Sequence, residues 1–265
     1  MPPHLPTVIA AIHQSKRYRH ITSTLIARLA EEELPKSKNQ ADAEKRTKRR
    51  LHQIFGAYAI QLPYDKLLGQ LQSTRHDQAL FKQTCKEILR QHASTAERLA
   101  DLENFYAPIF QITGQPKSIL DLACGLNPLT IPWMNLPATT AYTAADIDTE
   151  MTRFLNAFLQ LTLIQGRAIT NDLIAGPPTE EVDVALLLKT LPCLQHQSKD
   201  LLSILDTIRA DWLIVSFPTR SLGNRNKGMA ATYRAFFGEL IKPRGWKAHE
   251  LLFSSELVFV TDRRA

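Results

Sequence analysis

The sequence predicts an α/β fold, a mostly parallel sheet preceded by a helical N-terminal domain. Three observations carry this reading. Apolar periodicity changes from helical to strand-like near Ser118, short apolar runs then alternate with amphipathic helices, and the basic excess is confined to the first hundred residues. Those hundred residues hold 17 Lys+Arg against 9 Asp+Glu, whereas residues 101–265 hold 15 against 17. A basic arm on a nearly neutral body points to a polyanionic partner.

Taken in order, Leu5, Val8, Ile9 and Ile12 fall on one helical face, as do Leu51, Ile54, Phe55 and Tyr58, then Tyr64, Leu67, Leu68 and Leu71. Glu31 to Lys48 almost lacks large apolar residues and reads as a solvated loop and helix start, with Leu34-Pro35 ending the helix before it. From Ser118 onward, apolar runs at Ser118–Ala123, Ala141–Ala145, Val182–Leu188, Trp212–Phe217 and Leu257–Val260 predict strands. Met151–Ile164 and Leu201–Ile208 predict helices between them. The expected division is a helical bundle over 1–75, connecting helices over 76–110 and a sheet domain over 111–265. On such sheets ligands bind outside the carboxyl ends of the strands.

The three cysteines are far apart and form no CxxC pair, so neither a disulfide framework nor a zinc site is expected. The N-terminal segment does not read as a signal peptide, and no apolar run approaches the ~20 residues that span a bilayer. A cytoplasmic setting without membrane or metal is the expectation.

The strongest local signal is S-I-L-D-L-A-C-G-L-N-P at 118–128, a strand, an acid, then a turn containing Gly125. It is a depleted form of the D/E-x-G-x-G-x-G turn of S-adenosylmethionine (SAM) methyltransferases, and neither a dinucleotide fingerprint nor a P-loop is present. An ordinary strand-end turn would explain it equally well, and the spacing that follows tips the balance. Asp146 lies 25 residues after Asp121, at the end of A-Y-T-A-A-D, where a carboxylate can accept ribose hydroxyls. Asp172 lies 26 residues further on, placed to accept from an adenine amino group while Leu173 packs on the ring. A helix N-cap is the plainer role for one acid here, and Asp148 suits it better than Asp146.

In H-A-S-T-A-E-R-L at 92–99, Ser94 and Glu97 have capping-box spacing, while the Arg98 guanidinium suits a free α-carboxylate. The run K-R-T-K-R-R at 45–50, with Lys16, Arg17 and Arg19, favours binding to nucleic-acid backbone over a merely solvated face. The loop S-F-P-T-R-S-L-G-N-R-N-K-G-M at 216–229 carries Arg220, Arg225 and Lys227 at the ligand edge of the sheet, placed for a phosphate-bearing substrate. Pro192-Cys193 resembles the nucleophile of cytosine-C5 methyltransferases, yet the rest of that pattern is missing and a packed thiol is the expectation.

Taken together, H-A-S-T-A-E-R-L, D-L-A-C-G-L-N-P-L, L-L-L-K-T-L-P-C-L and S-F-P-T-R-S-L-G-x-R-x-K-G-M resemble the aminoglycoside-resistance methyltransferases that modify N7 of guanosine 1405 in 16S rRNA. The resemblance runs through nearly the whole chain and departs at Asn224, where Gly is expected. It implies a class I, Rossmann-like SAM-methyltransferase sheet behind the N-terminal helical domain. SAM contacts are implied at Phe55, His92, Ala93, Ser94, Arg98, Ala123, Gly125, Asp146, Asp172, Leu173, Leu188 and Gln197. The N-terminal helices, with Arg49 and Arg50 among their cations, are then expected to dock on the 30S subunit, and the 220–229 loop to approach the target. Guanine N7 carries a lone pair and no proton, so no catalytic base is expected. The alternatives are another RNA base methyltransferase, such as a C5 enzyme using Cys193, and a catalytically silent RNA-binding homologue. Cofactor and RNA sites are expected to act independently, so that loss of residues 1–40 spares SAM binding.

Overall fold

The computed structural model describes residues 3–55, 61–219 and 228–264. Seven helices come first: α1 (Leu5–His13), α2 (Ser23–Glu33), α3 (Gln40–Phe55), α4 (Tyr64–Thr74), α5 (Gln78–Leu89), α6 (Ala93–Arg98) and α7 (Leu102–Thr113). The sheet region follows with β1 (Ser118–Leu122), α8 (Ile131–Met134), β2 (Ala141–Asp146), α9 (Thr149–Leu159) and β3 (Gln165–Thr170). It ends with β4 (Val182–Leu188), α10 (Leu191–Gln195), α11 (Leu201–Thr207), β5 (Ala210–Pro218), α12 (Met229–Ile241), β6 (Lys247–Leu252) and β7 (Glu256–Asp262).

The strands form one sheet in the order β3-β2-β1-β4-β5-β7-β6. Strands β1 to β5 are parallel, and β7 inserts antiparallel between β5 and β6. The α/β expectation and all five expected strands are therefore present. Strands β3 and β6 are additional. Strand order reverses between β1 and β4, which opens a crevice at their carboxyl ends.

Each sheet face is covered by its own apolar layer. One joins α4, α5, α7 and α9 through Leu67, Phe81, Phe105, Phe154 and Phe158. The other joins α10, α11 and α12 through Leu194, Leu205 and Phe237. A third core lies within α1–α3, built on Val8, Ile12, Leu25, Ile26, Leu29 and Leu51, with Ile147 of the sheet domain packed against it. The bundle thus ends with α3. The boundary expected at residue 75 falls inside the sheet-domain core, because Tyr64, Leu67 and Leu71 of α4 bury their apolar face there. The segment read as a solvated loop and helix start at 31–48 holds both, with α2 stopping before Leu34-Pro35 as expected and the loop shorter than its composition suggested. Glu33 closes α2, Leu34–Lys36 make a single 3₁₀ turn at Pro35, and α3 already begins at Gln40.

The bundle is fastened beside the crevice. Ile21 bridges Asp148, the Thr22 amide donates to the Ile147 carbonyl at 2.8 Å, and the Thr149 amide donates to the His20 carbonyl at 2.8 Å. Glu150 pairs with His20 at 3.2 Å.

Candidate cofactor site

A cavity opens at the carboxyl ends of β1, β2 and β4. Ten of the twelve residues expected to hold a cofactor line it, namely His92, Ser94, Arg98, Ala123, Gly125, Asp146, Asp172, Leu173, Leu188 and Gln197. Ala93 begins α6 and does not line it. Phe55 ends α3, and its side chain lies outside the described residues, as do Arg220, Arg225, Lys227 and Asn224. Ile21, Leu25 and Ile54 of the bundle also line the cavity, so its wall is shared between the two halves of the chain.

The turn after β1 brings backbone close to this space. Ala123 and Gly125 both take left-handed conformations, with φ of 49° and 52°. A Cβ on Gly125 would lie 3.0 Å from the His92 ring, so glycine eases both the left-handed backbone and this tight contact. The Gly125 amide donates to Asp146 Oδ2 at 2.9 Å, and the Ile147 amide donates to Asp146 Oδ1 at 2.7 Å. Burial pushes the Asp146 carboxyl up to about 6 although these amides favour its ionised form. Its carboxylate is therefore partly occupied. Asp148 accepts from the Glu150 and Met151 amides at 2.9 Å, and so is the N-cap of α9 as the sequence suggested.

A buried charged network fills one end. The Arg98 guanidinium is 2% exposed and makes a two-pronged contact with Glu256, Nε to Oε1 at 2.7 Å and Nη2 to Oε2 at 3.0 Å. Its Nη1 donates to Asn127 Oδ1 at 2.5 Å. Lys189, held at a left-handed φ of 59°, donates through Nζ to Glu97 at 2.6 Å and to the Ser94 carbonyl at 3.0 Å. The capping box expected from Ser94 and Glu97 is not formed. Helix α6 starts two residues early, with His92 rather than Ser94 at its N-cap, so Ser94 sits inside it while Glu97 turns to Lys189. Asp121 receives the Tyr142 hydroxyl at 2.6 Å and the Asn127 amide at 2.9 Å on Oδ2. Its Oδ1 is buried without a hydrogen-bond partner among the described residues. Desolvation pushes this carboxyl up to about 7. Burial, with the Lys189 and Arg98 charges, holds His92 down to about 4, so its ring is neutral at pH 7.

The other end differs from expectation. Asp172 was read as a free acceptor, but its Oδ2 receives Arg28 Nε at 2.9 Å and its Oδ1 receives Arg28 Nη2 at 3.2 Å. The same Nη2 reaches Gln197 Oε1 at 2.8 Å. Burial raises the Cys193 thiol to about 11, so it is protonated at neutral pH.

The basic arm divides into two sets. Arg46 pairs with Glu33 at 2.9 Å, and Arg50 with Glu32 at 3.4 Å, so these two bind α3 to α2. Lys45 and Arg49 are exposed and have no acidic partner among the described residues, as do Lys16 and Arg19. Arg17 is exposed and lies 5.9 Å from the Tyr18 ring. Among the described residues no helix is long and apolar enough to cross a membrane, and no group of three metal-ligating side chains gathers.

Comparison with known proteins rests on this geometry. A family model described as ribosomal RNA methyltransferase (FmrO) matches residues 14–260. The chain belongs to the FmrO family of ribosomal RNA methyltransferases. A Frankia casuarinae protein described as 16S rRNA (guanine(1405)-N(7))-methyltransferase is 39% identical over 95% of this chain and 91% of its own. A Micromonospora echinospora protein of the same description is 38% identical over 96% and 94%. The crystal structure of the 16S rRNA methyltransferase RmtF in complex with S-adenosyl-L-homocysteine superposes with a TM-score of 0.81, at 30% identity and 99% coverage of both chains.

In this FmrO-family member, sequence reasoning missed Arg28, Glu256 and Lys189. Lys189 stands inside L-L-L-K-T-L-P-C-L, a cation breaking an apolar strand end, and that break was the available signal. Arg28 and Glu256 gave none, because their partners lie 144 and 158 residues away.

Proposed function

We propose that this chain transfers a methyl group from SAM to N7 of guanosine 1405 of 16S rRNA within the 30S subunit, in the cytoplasm, and thereby confers aminoglycoside resistance. The observation that carries the reading is the cavity at the strand-order reversal, with one unpartnered carboxylate oxygen of Asp121 at one end and Asp172 and Gln197, joined through Arg28, at the other. The donor set fits SAM. Asp121 Oδ1 and the uncommitted N–H groups of Arg98 suit the ammonium and carboxylate of the methionine part. Asp146 suits the ribose, and Asp172, Leu173 and Gln197 suit the adenine.

Bound SAM supplies a methyl group on a positively charged sulfur. The chain's own contribution is orientation and exclusion of water, which suffice for an acceptor nitrogen that carries no proton. A protonated Cys193 thiol favours this over attack on cytosine C6 by a thiolate. The exposed Lys16, Arg17, Arg19, Lys45 and Arg49, with Arg220, Arg225 and Lys227 of the 220–229 loop, supply the contacts to RNA phosphates. Arg50 is committed to Glu32 and contributes less.

The test is methylation of purified 30S subunits with labelled SAM, followed by mapping of the modified nucleotide. Label at guanosine 1405 as 7-methylguanosine supports the reading, and label on a cytosine overturns it. Failure to bind S-adenosyl-L-homocysteine (SAH) in a calorimetric titration would identify a silent homologue.

A further inference from the structure

Arg28 belongs to the bundle that carries the basic arm, yet its guanidinium reaches into the cavity wall. It is 19% exposed at the side chain, grips both oxygens of Asp172, whose side chain is 4% exposed, and holds Gln197 with the same nitrogen. Its remaining acid neighbour is Glu32, one helical turn on, at 3.8 Å. Asp172 and Gln197 come from different segments, one after β3 and the other after α10. Among the described residues these two side chains share no direct hydrogen bond. Their common partner comes from α2.

We infer that Arg28 is a positioning residue for the cofactor. It fixes the Asp172–Gln197 pair and so ties cofactor affinity to the seating of the N-terminal bundle. The inference rests on the cofactor reading above and assigns the bundle a second task besides docking. Without the guanidinium, Asp172 would be a nearly buried carboxylate with one backbone donor left, the Ile174 amide at 3.1 Å. It would then swing toward water, and Gln197 would lose its tether. Linkage makes the coupling reciprocal, so a ligand that stiffens Asp172 and Gln197 also stiffens α2 against the sheet domain. Lysine cannot replace the fork, since one ammonium does not span two carboxylate oxygens and an amide in fixed geometry.

The experiment titrates SAH into the full-length wild type, Arg28→Met, Arg28→Lys, Asp172→Asn and the Arg28→Met/Asp172→Asn double variant, with folding checked by circular dichroism. The expected loss of affinity is about tenfold or more for Arg28→Met, a size set by removing charge-assisted hydrogen bonds. Arg28→Lys recovers only part of it. In the Asp172→Asn background, Arg28→Met costs less than it does alone, because only the Gln197 tether is left to lose. The KM for SAM rises in Arg28→Met while kcat at saturating SAM stays within about threefold. Arg28→Met binding SAH like the wild type, or losses that multiply in the double variant, would overturn the inference. A wild type that fails to bind SAH would instead sink the cofactor reading. If Arg28→Met does not fold, Gln197→Leu tests the same tether, and unchanged affinity there also overturns the inference.

Discussion

Replacing Glu256 by Gln tests what holds the charged end of the cavity together. The wild-type carboxylate is fully buried, receives three hydrogen bonds and has one further cation beside it. Two come from Arg98, one from the Ser216 hydroxyl at 2.6 Å, and Lys189 Nζ lies 3.4 Å away. Burial opposes ionisation of Glu256, but the Arg98 and Lys189 charges outweigh it and hold its carboxyl below the usual range. Because the folded pKa is depressed, the pair's contribution is complete above the unfolded value, near 4.5, and is lost only as pH falls through the folded one. Measurement at neutral pH therefore samples the full effect. The amide removes the countercharge and turns one acceptor into a donor facing other donors, leaving Arg98 charged at 2% exposure. Breaking one partner of a buried pair costs about 3–5 kcal/mol. For a chain of this size that lowers the thermal midpoint on the order of 10 °C. Scanning calorimetry of the ligand-free protein at neutral pH reads the shift. A loss below about 1 kcal/mol would mean that water or another acid already screens Arg98, and the network argument would fail.

Four further outcomes follow from the same geometry. Asp146→Ala weakens SAH binding in calorimetry by tenfold or more, the cost of about one charge-assisted hydrogen bond, and unchanged affinity in a folded variant would remove Asp146 from the site. Cys193→Ser retains methyl transfer to 30S, since a thiol held near 11 supplies no thiolate, and complete loss with intact SAH binding would revive the C5 chemistry. Asp121, pushed up to about 7, makes the ligand-free chain less stable as pH rises through that value, so Asp121→Asn narrows the difference in thermal midpoint between about pH 5.5 and pH 8; an unaltered difference refutes the assignment. Reversing Lys45 and Arg49 to Glu flattens the log–log salt dependence of 30S binding by roughly 1.5, taking 0.7–0.9 per phosphate contact, and an identical slope would make these cations a solvated face.

What was legible in the sequence followed burial. Val182–Leu188 and Trp212–Phe217 lie in the middle of the sheet, covered on both faces, and so read as apolar runs interrupted only by Asp183 and Ser216. Strands β3 and β6 are the two edges, and their residues Q-G-R-A-I-T and K-A-H-E-L-L are mostly exposed or half-exposed, which left no apolar run to find. The cofactor residues were legible for a related reason. Among the residues that line the cavity, Ala123, Gly125, Asp146 and Asp172 sit at or just after strand ends, where a Gly turn or an acid interrupts an apolar run. Their state of engagement was not. Asp172 and Arg98 both carry partners from remote segments, and no local pattern distinguishes a free carboxylate from one held by an arginine 144 residues away.

That difference changes how the two halves of the chain work together. If the strand-end acids and Arg98 held the cofactor by themselves, the bundle would be a removable docking handle. The cavity wall argues otherwise, since Ile21, Leu25 and Ile54 line it and Arg28 grips Asp172. Loss of residues 1–40 removes two of those apolar residues and the guanidinium together, so it takes cofactor affinity with it. The fastening points at Ile21, Thr22 and Arg28 all lie beside the ends of β2 and β3, away from the buried Arg98–Glu256 pair. Under the proposed docking of RNA on the bundle, seating is expected to act on the Asp172–Gln197 end of the cavity, while the network around Arg98 is buried within the sheet domain. One end is set by folding of the sheet domain and the other by how the bundle sits.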